Sequence, residues 1–311
     1  MNVRARRSAP FGLSLLVLLV ACTGSSSVVP PPRPPEEITV AAFSFTESEI
    51  LAELYSQALE AKGYPAEPML NAGPRELVQP ALAEGLIDVV PEYAGSALSF
   101  LTLGAVEGSA SVSETHDALT RVVAPSGLVA LTPAPAQDAN AIVVSQATAD
   151  LYDLRDVSDL TSIGSQLVFG GPPECAHRRL CLVGLESAYG LRFREFIPLD
   201  SGGPLTLQAL LSEGIDVALL FTTDPAIVSE GLVVLTDDRG LQPAENVTPL
   251  LRRQVVSAHG YGVVETLDAV SALLTTSDLR EMIGQVVGGR TARDVAAIWL
   301  RDRRSALMER P

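Results

Sequence analysis

Hydrophobic and polar positions in residues 38–123 alternate between strand-like and helix-like spacing. Short apolar runs are followed by longer stretches in which apolar residues recur every three or four positions, the pattern of an amphipathic helix. The predicted strands are 38–43, 66–70 and 87–91, and the predicted helices are 46–63, 74–84, 92–101 and 113–123. Alternating strands and helices favour parallel pairing with right-handed crossovers, so this part of the chain is predicted to form an α/β lobe.

Two helix starts carry recognisable capping residues. Thr46-x-x-Glu49 has the form of a capping box, in which a hydroxyl and a carboxylate satisfy free backbone amides in the first turn. In the mostly helical stretch 267–308, Ser277 is predicted to cap a second helix.

The pattern changes near residue 133, where prolines and polar residues, among them Asp138 and Asn140, interrupt it. The apolar run 141–144 then predicts a strand that enters a second lobe. Further elements of that lobe are predicted as a helix starting near Ser158, strands at 167–169 and 232–235, and a helix at 184–189. Residues 246–256 lead back to the first lobe, so the chain is predicted to cross between the lobes twice.

Two stretches, 81–93 and 209–221, read as copies of one unit. Each has the end of a helix, a glycine suited to a left-handed C-cap, a short apolar strand opened by Ile-Asp-Val, and an aromatic residue at the same spacing. The aromatic residues are Tyr93 and Phe221, and each falls just beyond the carboxyl end of its strand, the edge where open α/β sheets bind small ligands. We therefore expect two lobes that each present a ring to a shared cleft. The alternative is a coincidental match between two common helix–strand connections.

Composition limits the classes of partner. The 311 residues carry a formal net charge of −15, and 47% of them are hydrophobic, which is enough for buried cores in two lobes. A nucleic-acid partner is not expected, because there is no surplus of basic residues to displace counterions from phosphates. The acidic balance is compatible with a cationic or zwitterionic ligand.

Residues 1–22 have the order of a bacterial lipoprotein signal peptide. Three arginines precede the apolar run 13–20, which is too short to span a bilayer, and the run ends in Leu-Val-Ala followed by Cys22. This ending resembles a lipobox, whose cysteine is acylated after cleavage, so Cys22 is predicted to anchor the protein to the outer face of the cell membrane. An ordinary secretory signal with an incidental cysteine is the alternative. The Ser/Pro-rich residues 23–37 are predicted to be a stiff spacer.

Cys175 and Cys181 are the remaining cysteines. Outside the cytoplasm, a pair this close in sequence most often forms a disulfide. Closing so short a loop stabilises a fold by roughly 2–2.5 kcal/mol in the chain-entropy model, so the bridge is predicted to set local shape. A zinc site that also uses His177 is the alternative, but only three candidate ligands are visible and no metal is expected.

Several short motifs occur in a recognisable order. They are Phe45-Thr46-Glu47, Gly85-x-Ile87-Asp88-x-x-Pro91-Glu92-Tyr93-x-Gly95, Thr223-Asp224, and Asp237-Asp238 followed by Pro243. Together they resemble the glycine betaine/choline-type substrate-binding proteins of osmoprotectant ABC transporters. The Pro-Glu-Tyr-x-Gly segment is the most specific of them, and the resemblance covers nearly the whole mature chain.

This resemblance implies a fold and a set of partners. The fold is an α/β, two-lobed type II periplasmic binding protein, with a mostly parallel sheet flanked by helices in each lobe. Residues 38–139 and 246–311 would form lobe 1, and residues 140–245 would form lobe 2. Without a cofactor, and as a monomer, the protein would capture a small solute between the lobes and deliver it to membrane permease subunits.

The pocket of that family is a box of tyrosines around a quaternary ammonium, held by cation–π attraction of about 0.5–2 kcal/mol per ring. Tyr93 matches a box tyrosine, and Phe221 keeps a π-face at a second position. Asn140 and Glu245 fall at two further positions and are not aromatic. A carboxylate at Glu245 would attract a cation, and Asn140 would offer hydrogen bonds, so the pocket is predicted to favour a more polar solute than a betaine.

The remaining pocket positions match the family pattern only in part. Arg178 matches the arginine that grips a ligand carboxylate, and Ser96 matches a supporting threonine, whereas Phe43 stands where a basic residue often contributes. The predicted ligand-binding set is Phe43, Thr46, Tyr93, Ser96, Asp138, Asn140, Arg178, Phe221 and Glu245. The structural alternatives are core packing for Tyr93 and Phe221 and a solvated charge at Arg178.

An enzyme is the rival from another class. The chain has no Gly-x-Ser-x-Gly elbow, no His-Glu-x-x-His and no Gly-x-x-x-x-Gly-Lys, so catalysis is not expected. A sensor or surface interaction protein that uses the same clamp without a transporter is a second rival.

Overall fold

The computed structural model describes residues 36–308. The predicted signal peptide, the predicted lipid anchor at Cys22 and all but the last two residues of the predicted spacer lie outside this range. No helix within the described range is long and apolar enough to cross a membrane.

The strands form two five-stranded sheets of the same design. The first sheet has the order β2-β1-β3-β10-β4 and the second has the order β7-β6-β8-β5-β9. The strands are β1 (Ile38–Ala41), β2 (Ala66–Met69), β3 (Val89–Tyr93), β4 (Leu128–Ala130), β5 (Asn140–Val144), β6 (Val168–Gly171), β7 (Glu195–Pro198), β8 (Val217–Phe221), β9 (Val233–Val234) and β10 (Val247–Arg252). In each sheet four strands run in the same direction, and the fifth, β10 or β5, runs antiparallel to both of its neighbours. We call each sheet with its helices a lobe.

Helices cover both sheets. They are α1 (Thr46–Ala61), α2 (Arg75–Glu84), α3 (Ala94–Leu101), α4 (Val112–Val123), α5 (Gln146–Tyr152), α6 (Leu182–Tyr189), α7 (Pro204–Leu211), α8 (Ala226–Ser229), α9 (Arg253–His259), α10 (Gly262–Ser271), α11 (Thr276–Val287), α12 (Ala292–Asp302) and α13 (Arg304–Met308). Short 3₁₀ helices lie at Ala124–Ser126, Val157–Ser162, Gly164–Gln166 and Pro173–His177.

Alternating strand residues divide the apolar side chains of each sheet between two cores. In β5, Ile142 and Val144 join one cluster, while Ala141 and Val143 join the cluster on the opposite face. The first sheet divides its apolar residues in the same way. Because successive side chains of a strand point to opposite faces, a sheet with helices on both sides needs nearly continuous apolar strands.

The two crossings between the lobes are hydrogen-bonded to each other. Gln137 and Asn246 form an isolated antiparallel bridge. The Asp138 N–H donates to the Glu245 carbonyl and the Val247 N–H donates to the Ala136 carbonyl, each at 3.0 Å. Immediately after these residues the chain enters β5 and β10, so each antiparallel strand starts at the hinge.

Several local predictions were wrong. Helix α1 has Phe45 as its N-cap with no side-chain cap bond, so Thr46 and Glu49 do not form a capping box, and the Ser48 hydroxyl accepts from the Phe43 N–H instead. The helix predicted near Ser158 is a 3₁₀ turn. Helix α11 is capped by Thr275, whose partner in a true capping box is Asp278, and not by Ser277. Strand β7 was not predicted.

Candidate functional site

A cleft of about 750 Å³ lies between the lobes and is lined from both sides. Strand register explains why the two repeat aromatics reach it. Tyr93 ends β3 opposite the first residue of β10, and Phe221 ends β8 opposite Asn140, the first residue of β5. Both rings therefore sit beside the hinge, at the carboxyl ends of their strands. Predicted residues that line the cleft are Phe43, Tyr93, Ser96, Asp138, Asn140, Arg178 and Phe221.

Phe45 joins the aromatic residues of the two lobes. Its ring centroid lies 5.1 Å from that of Phe221 and 6.1 Å from those of Tyr93 and Phe43. The family-like motif Phe45-Thr46-Glu47 pointed to this segment, but Thr46 rather than Phe45 was predicted to contact the ligand. Thr46 does not line the cleft, because the extended backbone of the N-cap places the ring of Phe45 there.

Glu47 is buried beside these rings. Its Oε1 accepts a hydrogen bond from the Tyr93 hydroxyl, and its Oε2 accepts one from the Thr223 hydroxyl, each at 2.6 Å. Burial raises the pKa of Glu47 to about 7, although the two hydrogen bonds act in the opposite direction. Glu47 stands in the family-like motif at 45–47 but not in the predicted ligand-binding set, since both of its partners come from distant parts of the chain.

Asp138 presents a second carboxylate to the cleft. Its Oδ1 accepts from the Thr222 hydroxyl and from the Thr223 N–H, each at 3.0 Å. Burial raises its pKa well above the usual value, and the neighbouring charge of Glu47 adds to this effect. One wall of the cleft is therefore acidic as well as aromatic.

Glu245 was predicted to occupy a box position, but it lies behind the cleft wall and does not line it. Its carboxylate accepts from the Ser96 N–H at 3.0 Å and from the Ser96 hydroxyl at 2.7 Å. Only 1% of the residue is exposed, and burial raises its pKa to about 7. Glu245 thus fixes Ser96 at the start of α3 instead of facing a ligand.

Arg178 lies at the cleft with its guanidinium already paired. It contacts Glu76 of the first lobe at 2.8 Å and Glu174 of its own loop at 3.5 Å. Partial burial alone would raise the pKa of Glu76, but the hydrogen bonds and charge of Arg178 outweigh burial and hold that pKa below its usual value. A ligand carboxylate would have to compete with these two side chains for Arg178.

The loop that carries Arg178 is fixed at several points. Cys175 and Cys181 are joined by a disulfide, with their Cα atoms 5.3 Å apart. The Asn140 amide donates to the Leu180 carbonyl at 2.9 Å and to the Gln242 side-chain oxygen at 3.4 Å. The Asn140 amide nitrogen therefore contacts protein groups. Within residues 36–308, no group of three or more His, Cys, Asp and Glu side chains could hold a metal ion.

Arg75 is a cleft residue that the sequence analysis missed. Its guanidinium donates to both carboxylate oxygens of Glu92 at 2.9 Å and lies 5.0 Å from the centre of the Phe43 ring. Gln79 donates to the same carboxylate. Glu92 belongs to the Pro-Glu-Tyr segment, so the motif holds an arginine in the cleft wall. No local pattern could reveal this pair, because the residues are 17 positions apart and on different elements.

These contacts define the chemistry of the cleft. Phe43, Phe45, Tyr93 and Phe221 contribute aromatic surface, and Asp138 contributes a carboxylate. Both arginines described above are paired with glutamates. Such a cleft favours a ligand that is positively charged and has apolar substituents. The aromatic faces attract a cation, and a cation beside Asp138 would favour the ionised form of that carboxyl group, whose pKa burial raises.

Several known proteins are similar to this chain. Residues 36–302 match the OpuAC family model, described as the substrate binding domain of ABC-type glycine betaine transport system. The glycine betaine-binding protein YehZ of Escherichia coli is 26% identical over 268 residues, which cover 83% of this chain and 88% of that protein. The glycine-betaine-binding protein of Pseudomonas aeruginosa is 26% identical over 297 residues, which cover 92% and 93% of the two chains.

A solved structure supports the fold assignment. The crystal structure of a glycine betaine/carnitine/choline ABC transporter covers 87% of this chain and 100% of its own, with a TM-score of 0.68 and 22% identity. Together with the two sheets, this likeness confirms the predicted two-lobed α/β type II periplasmic binding protein fold. The matching family consists of solute-binding proteins of ABC transporters rather than enzymes. Because the family model spans most of the sequence, the chain belongs to the OpuAC family of substrate-binding domains of ABC-type glycine betaine transport systems.

Proposed function

We propose that this protein captures a small quaternary-ammonium solute, such as choline, glycine betaine or a related compound, in the cleft between its lobes and presents it to an ABC importer. The observation that carries the proposal is the convergence of Phe45, Tyr93 and Phe221 on one cleft beside the carboxylate of Asp138. Each ring in contact with a cation contributes about 0.5–2 kcal/mol, depending on how completely water is removed. The family match supports the same class of solute.

Binding would work by a shift between open and closed lobes. A solute stabilises the closed arrangement only if it contacts both lobes at once. Contacts that are equal in the open and closed arrangements do not shift the equilibrium between them. Tyr93 and Phe45 belong to the first lobe and Phe221 to the second, so a ligand between them meets this condition. The closed form is then the one recognised by the permease.

The charges of the cleft favour a ligand without its own carboxylate. Arg178 is engaged by Glu76 and Glu174, and Arg75 is engaged by Glu92. A betaine carboxylate must displace one of these pairs or remain poorly paired, which costs affinity. We therefore expect choline-type cations to bind more tightly than glycine betaine.

Tethering and assembly complete the proposal. Cys22 would carry a lipid that holds the mature protein on the outer face of the cell membrane, with residues 23–37 as the spacer. Lobe 1 would comprise 38–139 and 246–311, and lobe 2 would comprise 140–245. The protein would act as a monomer with permease subunits as its partners.

Calorimetric titration of the purified protein tests the ligand class. Choline should bind, and 3,3-dimethylbutanol, a neutral molecule of the same shape, should bind at least tenfold more weakly, because it lacks the charge that the rings and Asp138 attract. Glycine betaine is the third ligand and tests the expected preference. Equal affinity for choline and its neutral analogue, or no binding of any quaternary amine, would refute the proposal.

A further inference from the structure

Glu47 is a buried carboxylate, and each of its two oxygens accepts a hydrogen bond from a different lobe. The Tyr93 hydroxyl donates to Oε1 and the Thr223 hydroxyl donates to Oε2, each at 2.6 Å. The exposed fractions of Glu47, Tyr93 and Thr223 are 3%, 5% and 1%. Short hydrogen bonds to a carboxylate that are removed from water are among the stronger polar contacts in proteins.

The positions of the two donors determine what these bonds connect. Tyr93 ends β3 and lines the cleft, whereas Thr223 lies two residues beyond the end of β8. Glu47 itself is in the first turn of α1. The bond to Tyr93 therefore stays within the first lobe, while the bond to Thr223 crosses to the second lobe. A relative movement of about 1 Å is enough to break a hydrogen bond of this length, so the crossing bond requires the lobes to be together.

We propose that Glu47 is a positioning residue that couples the orientation of Tyr93 to closure of the lobes, a role that rests on the proposed solute-binding function. Closure brings the Thr223 hydroxyl onto Oε2, while Oε1 of the same carboxylate holds the Tyr93 ring in the cleft wall. The crossing bond contributes only to the closed arrangement, so it shifts the equilibrium towards closed lobes. Release of the solute requires this bond to break.

Thr223 allows this bond to be removed cleanly. Its N–H donates to Asp138 at the hinge and does not depend on its hydroxyl. Thr223→Val keeps the backbone bond and the shape of the side chain and deletes the hydroxyl that donates to Glu47, which also helps to lower the pKa of Asp138. Tyr93→Phe keeps the aromatic face and deletes the other donor. The two variants therefore separate the effect of the bond between the lobes from the effect of the bond within the first lobe.

The first measurement is the dissociation of choline by stopped-flow mixing. At pH 8.5, above the raised pKa of Glu47, Thr223→Val should raise the dissociation rate tenfold or more, since a buried hydrogen bond to a charged group is lost from the closed arrangement alone. Matched controls are Thr266→Val and Tyr55→Phe, whose hydroxyls bond within the first lobe to the Gly262 carbonyl and the Ser271 hydroxyl. The controls should lower the free energy of unfolding and leave the dissociation rate unchanged.

Because both donors bind one carboxylate, the two changes should not add. Combining Thr223→Val with Tyr93→Phe should raise the dissociation rate by less than the product of the single effects. Glu47→Leu, which deletes both acceptor oxygens, should have at least the effect of Thr223→Val. Multiplicative effects would show that Glu47 does not link the two contacts.

A second measurement needs no ligand. Small-angle X-ray scattering of the ligand-free protein reports the share of molecules with closed lobes through the radius of gyration. Thr223→Val should raise the radius of gyration, and Thr266→Val should not. The inference is overturned if Thr223→Val behaves like Thr266→Val. A raised radius of gyration for Thr223→Val in a protein that binds no quaternary amine would refute the proposed ligand class and leave the role of Glu47 in closure standing.

Discussion

Glu245 offers a test of how buried carboxylates affect the stability of this fold. Its pKa rises from 4.5 to about 7 because the side chain is fully buried behind Ser96. A carboxyl group with a raised pKa in the native state keeps its proton there while the unfolded chain has already lost it. Between pH 4.5 and 7 the native protein therefore binds more protons, and its stability falls as pH rises. At about 1.4 kcal/mol for each pH unit, the loss amounts to about 3 kcal/mol.

The perturbation is Glu245→Gln, which removes the titration and retains the contacts. A glutamine can accept from the Ser96 N–H through its oxygen and donate to the Ser96 hydroxyl through its amide, so both contacts with Ser96 persist. At pH 4.5 and below, the variant should match the parent, in which Glu245 is protonated. At pH 8.5 the variant should be more stable by up to about 3 kcal/mol.

Urea denaturation of both proteins from pH 4 to 8.5 measures this difference directly. Other raised carboxyl groups, such as Glu47 and Asp138, affect parent and variant alike and cancel in the comparison. Glu84→Gln, at an exposed position, is the control for loss of a carboxylate at the protein surface. A difference for Glu245→Gln that is flat across this range, or that favours the parent at high pH, would refute the reasoning.

Two further predictions concern the cleft wall. Arg75→Met should lower the free energy of unfolding by about 3–5 kcal/mol, because it leaves the Glu92 carboxylate buried without its ion pair, and Arg75→Lys should cost less; urea denaturation measures both. Phe45→Leu should weaken choline binding about threefold to tenfold in calorimetric titration through loss of one π-face, whereas Tyr152→Leu, outside the cleft, should leave the affinity unchanged. An unchanged stability in the first case, or an unchanged affinity in the second, would contradict the assigned contacts.

The fold could be predicted from the sequence because its hydrophobic patterns involve residues close together in the chain and because one unit occurs twice. The matching units at 81–93 and 209–221 placed an aromatic residue at the end of a strand in each lobe, and the structure has Tyr93 and Phe221 at these ends. Strand identity followed from short apolar runs. Strand β7, with mostly half-buried and exposed residues at the sheet edge, carried too weak an apolar pattern to be predicted.

The candidate site was less predictable because most of its contacts join distant residues. Arg75 meets Glu92, Glu47 meets Thr223, and Glu245 meets Ser96 only in the folded chain. A family-like motif marked the segment of Phe45 but not which of its residues faces the cleft. That choice depends on the helix beginning after Phe45, which the apparent capping box at Thr46 obscured.

The buried carboxylates explain why the site departs from a box of tyrosines without losing its attraction for a cation. Burying Glu47, Asp138 and Glu245 costs stability, since each has a raised pKa and would gain hydration in the unfolded chain. A fold keeps such groups when they contribute something that apolar residues cannot. Asp138 lies where it attracts a cation, Glu47 lies where it joins the lobes, and Glu245 fixes the hydroxyl of Ser96 at the cleft. Asp138 and Glu47 therefore supply an electrostatic attraction and a bond that depends on closure, whereas the two non-aromatic box positions, Asn140 and Glu245, bond to protein groups.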